Sequence, residues 1–89
     1  MPAISMFYEL IVYMYFMAKK QHKLPHIRIK YQEHETIVSI PDGEVLDGSI
    51  PNSKMKLLHA WIEIHKDELV ADWELAVAGQ QLYKIEPLR

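Results

Sequence analysis

The period of the hydrophobic pattern changes at Ile50 and Pro51, and this change constrains the fold more than any other feature. Before Ile50 the chain has the character of β-strands, with a β-branched and aromatic run at residues 9–16 and a two-residue alternation that is clearest at residues 26–31. Beyond Pro51 the apolar residues follow the three- and four-residue spacing of an amphipathic helix as far as Val77. Pro51 suits the first turn of a helix, where its missing N–H is tolerated. The sequence therefore predicts an α+β chain with its sheet first and its helices last.

The sheet is predicted to be an antiparallel meander of four strands, at residues 9–16, 26–31, 35–40 and 44–49. The second strand alternates most clearly, because Ile27 and Ile29 share one face while Arg28 and Lys30 share the other. The first strand is apolar or aromatic on both faces, which is typical of a central strand or of one that meets a partner. Residues 41–43, Pro-Asp-Gly, predict the turn between the last two strands.

Two helices are predicted between residues 52 and 79, packed together on one face of the meander. A single helix from 52 to 78 would be ~40 Å long at 1.5 Å per residue, which exceeds the span expected of so small a domain. We therefore predict a break near Lys66, with Asp67 capping the second helix and Gly79 ending it. Trp61 and Trp73 are expected to anchor the core. The tail, residues 82–89, is expected to be extended.

The length and composition limit the chain to one domain and exclude several kinds of stabilisation. It has 89 residues, which predicts a single domain over residues 1–89. It has no cysteine, so neither a disulfide nor a thiolate metal site can reinforce the core. The longest apolar run has eight residues, at 10–17, against the ~20 that a membrane helix needs. We therefore expect no membrane span, no signal peptide and a cytoplasmic location.

The charges are distributed unevenly along the chain. Residues 17–32, the basic segment, hold five of the ten Lys and Arg residues and no acid. Residues 33–89 hold five basic and eleven acidic residues, and the net charge of the chain is −2. Such a chain is a poor general polyanion binder, but it can bind a specific anionic group or acidic surface through the basic segment.

The predicted binding surface combines the basic segment with two tyrosines of the adjoining strand. Its residues are Tyr13, Tyr15, Lys19, Lys20, His22, Lys23, His26, Arg28 and Lys30. A basic strand face with aromatic side chains can bind single-stranded nucleic acid by stacking and phosphate contacts. It can equally bind an acidic protein partner, including the acidic helix of another copy. The tyrosines can instead pack in the core or in a dimer seam, so a homodimer is also expected.

A metal-independent ribonuclease is the alternative interpretation. Cleavage of RNA needs a general base, a general acid and cations beside the phosphorane. His26 could act with Arg28 or Lys30 from one strand face, assisted by the loop residues His22 and Lys23, and Glu35 could approach from the neighbouring strand. Because no spacing among these residues demands catalysis, we favour a non-enzymatic interaction module without a cofactor.

A metal site was also considered among the histidines. His22, His26 and His34 could join a carboxylate, and His59 with Glu63 has the four-residue helical spacing of a chelating pair. The chain has no HExxH motif, and a proline separates the first two histidines. Solvated loop histidines and an ordinary exposed helical pair explain these residues better, so no metal is predicted.

The whole chain resembles the bacterial family known as domain of unknown function 4160. The residues that carry the resemblance are Pro2, Ile4, Ser5, Phe7, Tyr8, Met14, Tyr15, His22, Leu24, Pro25, His26, Gly43, Glu44, Leu46, Gly48, Pro51, Trp61, His65, Glu68, Leu69, Gly79, the WELA segment 73–76 and the KIEPL segment 84–88. The family has no established activity. Its genes often neighbour those of domain of unknown function 2442, which implies a partner from a neighbouring small gene and a toxin–antitoxin or regulatory role. Arg28 stands where members usually carry a second histidine, so a metal-binding histidine pair is not carried over.

Overall fold

The computed structural model describes residues 3–16 and 24–89, which form an antiparallel sheet followed by one helix. The elements are β1 (Ala3–Phe7), β2 (Leu10–Tyr13), β3 (His26–Tyr31), β4 (His34–Ser39), β5 (Val45–Gly48) and α1 (Asn52–Val77). Each strand pairs with the next along the chain, so the order in the sheet is β1-β2-β3-β4-β5. The α+β class and the antiparallel meander are confirmed, but the described residues contain five strands and one helix instead of four strands and two helices.

The additional strand is β1, which precedes the first predicted strand, whereas the strand predicted at residues 9–16 corresponds to the shorter β2. Residues 3–13 form a tight hairpin in which Phe7 pairs with Leu10 across a two-residue turn. Both turn residues have positive φ, 47° at Tyr8 and 68° at Glu9. Such turns match the twist of a hairpin but are normally made by glycine or asparagine. The sequence has no turn signal here, which is why the hairpin was missed.

Lys54 of α1 supports this strained turn from the side. Its Nζ donates a hydrogen bond to the carbonyl oxygen of Tyr8 at 3.1 Å. The same ammonium lies 5.2 Å from the ring centroid of Tyr31, within the range of a cation–π contact. The helix therefore helps to hold a backbone conformation that the turn residues themselves disfavour.

We expect Glu9→Gly to stabilise the protein by about 0.5–1 kcal/mol, because glycine adopts a positive φ without the cost that other residues incur. The matched control is Glu33→Gly, which removes the same charge from the β3–β4 turn at a residue whose φ is not positive. This control should be neutral or destabilising. Urea unfolding of both variants measures the difference, and equal stabilities for the two would contradict the assignment of strain to Glu9.

The remaining strands agree closely with their predicted positions. β3 begins and ends where it was predicted, and β4 and β5 differ from prediction by one residue at each end. The turn predicted at residues 41–43 connects β4 to β5, and Gly43 adopts a φ of 76° there. β4 and β5 also shift register between Ile37 and Val38.

The helix is continuous but bent, which corrects the prediction of two separate helices. A straight helix of 26 residues would be ~39 Å long at 1.5 Å per residue, whereas the longest dimension of the structure is 33 Å. The chain resolves this conflict with a kink at His65, where φ is −113° and ψ is 20°. At the kink His65 Nδ1–H donates to Glu68 Oε1 at 2.6 Å. The break predicted near Lys66 is therefore a kink one residue earlier.

Gly79 ends the helix as predicted. Its φ is 73°, and its N–H donates to the carbonyl oxygen of Ala76 at 3.1 Å. The N–H of Gln80 reaches back to the carbonyl oxygen of Leu75 at 2.9 Å. These two bonds define a Schellman motif, which satisfies carbonyl groups that the helix leaves unpaired.

The hydrophobic core lies between α1 and one face of the sheet. Its fully or nearly buried members include Leu10, Val12, Ile27, Ile29 and Val38 from the sheet and Leu58, Trp61, Ile62, Leu69 and Trp73 from the helix. The rings of Phe7 and Trp61 lie 5.1 Å apart between the two layers. The prediction that both tryptophans anchor the core is confirmed.

The C-terminal tail, residues 80–89, lies along β1 without forming a regular element. The N–H of Ile85 donates to the carbonyl oxygen of Ile4 at 2.8 Å, and Trp61 Nε1–H donates to the carbonyl oxygen of Glu86 at 2.8 Å. Ile85 itself is buried in the core. In the described part of the chain, α1 is not apolar enough over its length to cross a bilayer.

Candidate binding surface

The sheet face opposite α1, called here the outer face, carries its side chains in two rows that cross the strands. In the first row Tyr13 pairs with Arg28, Arg28 with Ile37, and Ile37 with Asp47. In the second row Met6 pairs with Ile11, Ile11 with Lys30, and Lys30 with Glu35. The alternation that buries Val12 and Ile29 beneath the helix places these residues on the opposite side. The predicted face of β3 and its tyrosine neighbour therefore lie together.

Arg28 is fixed at the centre of the outer face by two side chains. Its Nη1–H donates to the Tyr15 hydroxyl at 3.0 Å, and its Nη2 forms an ion pair with Glu35 Oε2 at 3.0 Å. The side chain of Arg28 is half-buried, whereas that of Glu35 is exposed, so water reaches one side of this pair. Glu35 thus approaches from the neighbouring strand as predicted, but it neutralises the cation that was expected to attract an anion.

A depression of about 180 Å³ lies beside this ion pair, towards β5. Its lining residues are Arg28, Glu35, Thr36, Ile37, Asp47 and Gly48. Thr36 Oγ1–H donates to the carbonyl oxygen of Asp47 at 2.9 Å, which ties β4 to β5 beneath the depression. Two carboxylates and one guanidinium give the lining a net charge of −1. This end of the surface therefore favours a cation.

Lys30 and Asp47 are the exposed charges that remain on the outer face. Within residues 3–16 and 24–89, neither side chain takes part in an ion pair. Together with Arg28 and Glu35 they give the described outer face two positive and two negative charges. Its apolar surface comes from Ile11, Tyr13 and Ile37, which are half-buried, and from Met6, which is exposed.

The other predicted binding residues do not all join this surface. Lys19, Lys20, His22 and Lys23 lie outside the described residues. The ring of His26 lies against Trp73 of α1, with the centroids 5.0 Å apart, and its Nδ1–H donates to the carbonyl oxygen of Leu24 at 2.7 Å.

The position of His26 differs from the expectation that it would stand in line with Arg28 and Lys30. It is the first residue of β3, where no preceding strand residue enforces the alternation. The contact with Trp73 turns its ring to the helix. Arg28 and Glu35, two other groups of the ribonuclease interpretation, form an ion pair with each other. The described geometry therefore does not assemble the acid, the base and the cations around one position for a phosphate.

The histidines considered as metal ligands have other contacts in the structure. His34 stacks on Tyr31 with the ring centroids 6.3 Å apart, and His59 Nε2–H donates to the carbonyl oxygen of Gly43 at 2.8 Å. Glu63 forms an ion pair with Lys66 at 3.0 Å and raises the pKa of that ammonium through this hydrogen bond. In the described ranges no three His, Cys, Asp or Glu side chains lie close enough together to hold a metal ion.

Three residues of chemical interest were missed by the sequence analysis. Ile37 and Asp47 belong to the outer face, and only the pairing register between β4 and β5 reveals the position of Asp47. Asp72 of α1 is 2% exposed, and its Oδ2 has no hydrogen-bond partner. Burial raises the pKa of the Asp72 carboxyl above its ordinary value, the Tyr83 N–H bonded to Oδ1 opposes the shift, and the charge of Glu68 adds to it.

The family of the chain follows from a comparison with known protein families. Residues 10–74 match the family model described as domain of unknown function (DUF4160). The chain belongs to this family. The match spans β2 to the second half of α1, so it includes the outer-face residues of β2 to β5. No curated protein and no solved structure matched the chain.

Proposed function

We propose that the chain is a non-enzymatic cytoplasmic interaction module that binds a protein partner through the outer face of its sheet. The observation that supports this proposal is the composition of the two rows of side chains. Tyr13, Ile11 and Ile37 offer apolar and aromatic contacts beside Arg28, whose conformation is already fixed by Tyr15 and Glu35. Interfaces between proteins are enriched in such aromatic and arginine side chains.

The charge balance favours a protein partner over a nucleic acid. Binding to a phosphate backbone depends on several cations that replace the bound counterions. The described outer face has equal numbers of positive and negative charges, and its most central cation already has a carboxylate partner. A protein surface with both signs of charge complements this pattern better than a polyanion. A role in a toxin–antitoxin pair or a regulatory operon remains compatible with this proposal.

The test compares capture of a partner by variants of the outer face with capture by a variant of the helix surface. The wild-type protein is used as bait in nuclease-treated extract of its native host. We expect Tyr13→Glu and Arg28→Glu to weaken partner binding by about tenfold or more. Tyr13→Glu places a charge among the apolar side chains of the outer face, and Arg28→Glu places a second carboxylate beside Glu35. The control is Lys56→Glu, which reverses an exposed charge on α1 and should bind as the wild type does.

Purified components then give the dissociation constants, and thermal unfolding shows whether each variant is folded. Tyr13 and Arg28 are both only half-buried, which predicts folded variants with stability losses of about 1 kcal/mol. If folded Tyr13→Glu and Arg28→Glu bind the partner as tightly as the wild type, the outer face is not the binding surface. If the bait captures no protein, and the purified protein instead binds added single-stranded RNA or DNA with a steep salt dependence, the nucleic-acid interpretation replaces this one.

A further inference from the structure

We propose that the protein partner of the outer face is a second copy of the same chain, and that Lys30 of each copy binds in the depression beside Asp47 of the other. This inference rests on the proposed function, because it names the partner of the same surface. The homodimer was expected from the aromatic first strand. The structure adds a charge pattern that specifies how two copies would meet.

Among the residues that the structure describes, the outer face carries one cation and one anion that form no ion pair. Lys30 is exposed on β3 and Asp47 is exposed on β5, and within the described residues neither forms an ion pair. Glu35 and Arg28 neutralise each other, so Asp47 leaves the depression with a net charge of −1. A surface with one free cation and one anionic depression is complementary to itself.

Two-fold symmetry converts this complementarity into two identical contacts. In a symmetric dimer with one shared patch, if residue i of one copy meets residue j of the other, then j also meets i. Lys30 and Asp47 lie two strands apart, a separation of about 10 Å across a sheet. A two-fold axis midway between them passes near β4 and allows both Lys30–Asp47 contacts to form together.

The same axis brings an apolar side chain to the middle of the interface. Ile37 lies on β4, between the strands of Lys30 and Asp47, and its Cα partners are Arg28 and Asp47. It is half-buried within one copy and would meet the Ile37 of the second copy close to the axis. Glu35 lies equally close to this axis, because it is the β4 partner of Lys30, and its charge is neutralised by Arg28 of its own copy. The centre of the proposed dimer therefore combines the Ile37 contact with neutralised ion pairs, between two Lys30–Asp47 contacts.

The decisive experiment uses two charge reversals, Lys30→Glu and Asp47→Lys, alone and mixed. Each variant alone brings like charges together at both contacts, so we expect its dimer dissociation constant to rise about tenfold or more. In an equimolar mixture the two variants can form a mixed dimer. Glu at position 30 of one chain then faces Lys at position 47 of the other, and the native Lys30–Asp47 contact forms on the second side. The mixture should therefore recover the wild-type dissociation constant.

Sedimentation at high micromolar concentration measures the association of the wild type, of each variant and of the mixture. Lys56→Glu serves as the control, since it reverses an exposed lysine on α1 and should leave the dimer unchanged. Circular dichroism and thermal unfolding confirm that the variants are folded. A double variant, Lys30→Glu with Asp47→Lys in one chain, should also form a dimer with wild-type affinity, because both contacts are restored with reversed sign.

Each unfavourable outcome has a distinct meaning. A monomeric wild type, or a mixture that stays monomeric, overturns the proposed self-association. If Tyr13→Glu still abolishes capture of a different protein in either case, the outer face remains the binding surface and only its partner was misassigned. If a wild-type dimer survives both charge reversals and Tyr13→Glu, the copies meet through another surface, and this inference fails. The proposed function then depends on partner capture alone.

Discussion

Gly48→Ala is expected to destabilise the protein by about 3 kcal/mol, because the added methyl group has no space between β4 and β5. Gly48 has a φ of 72°, and a Cβ built on it would overlap the carbonyl oxygen of Glu35 on β4. That oxygen also accepts the N–H of Ser49 at 3.0 Å. A methyl group would therefore force β4 and β5 apart and weaken the bond that closes the edge of the sheet.

The loss of stability in Gly48→Ala has two causes, the clash with Glu35 and the positive φ, and Gly79→Ala measures the second cause alone. Gly79 has nearly the same φ, 73°, but no heavy atom lies within 4 Å of the position its Cβ would take. Alanine there should incur only the intrinsic cost of a left-handed backbone, about 1–2 kcal/mol. Urea unfolding gives the free energy of unfolding of both variants, and the difference between their losses is the cost of the clash at Gly48. Equal losses at the two positions would show that β5 can move away from Glu35 without significant cost.

The same substitution connects the fold with the candidate surface. Gly48 lines the depression, and Glu35, whose backbone it touches, holds the guanidinium of Arg28. Displacement of Glu35 would free Arg28 from one of its two partners. A folded Gly48→Ala protein is therefore expected to bind a partner less well, although the substitution changes no charge on the outer face.

The sequence predicted the parts of the fold that depend on local periodicity. The bounds of β3, the Pro-Asp-Gly turn, the start of the helix at Pro51 and its end at Gly79 all follow from residue types at fixed positions. The hairpin of β1 and β2 was missed because its turn uses Tyr8 and Glu9 instead of glycine or asparagine. Its conformation depends partly on Lys54, which is 46 residues away from Tyr8 along the chain. No local pattern can reveal such support.

The helix shows how a correct physical argument led to an incorrect count. A straight helix of this length does exceed the longest dimension of the protein. A kink at one residue was sufficient to resolve the conflict, because the loss of regular geometry at His65 is accompanied by the contact with Glu68. Hydrophobic spacing continues through such a kink, so the sequence does not distinguish a bend from a break.

The sequence predicted which residues share the outer face, but not which of their charges are paired. Strand alternation places Tyr13, Arg28 and Lys30 on one face, and the structure agrees. Whether a cation on that face is free depends on the register of the next strand, which brings Glu35 into an ion pair with Arg28. Counting charges along the chain cannot show this pairing. The contribution of the basic residues between 17 and 23 lies outside the described residues.

Stability is expected to fall as pH rises through the titration of Asp72. Burial raises the pKa of this carboxyl above its ordinary value of 3.8, and its Oδ2 has no hydrogen-bond partner. Between the unfolded and folded pKa values, the folded state binds more protons than the unfolded state, so the free energy of unfolding decreases with pH. Above the folded pKa the cost of the buried charge is fully present. This contribution has the opposite sign to that of an ion-paired carboxylate.

Asp72→Asn isolates this contribution, because an amide oxygen can still accept the N–H of Tyr83 while the negative charge is removed. We expect the variant to be about 1 kcal/mol more stable than the wild type at neutral pH, because the unpaired group in the position of Oδ2 becomes a neutral amide nitrogen instead of a charged oxygen. The advantage should shrink as pH falls below the folded pKa, where the wild-type carboxyl is itself neutral. Glu74→Gln, an exposed acid on the same helix, is the matched control and should change stability little. Urea unfolding across the acidic to neutral range gives the difference between variant and wild type. A constant difference at every pH would show that Asp72 has the same pKa in the folded and unfolded states.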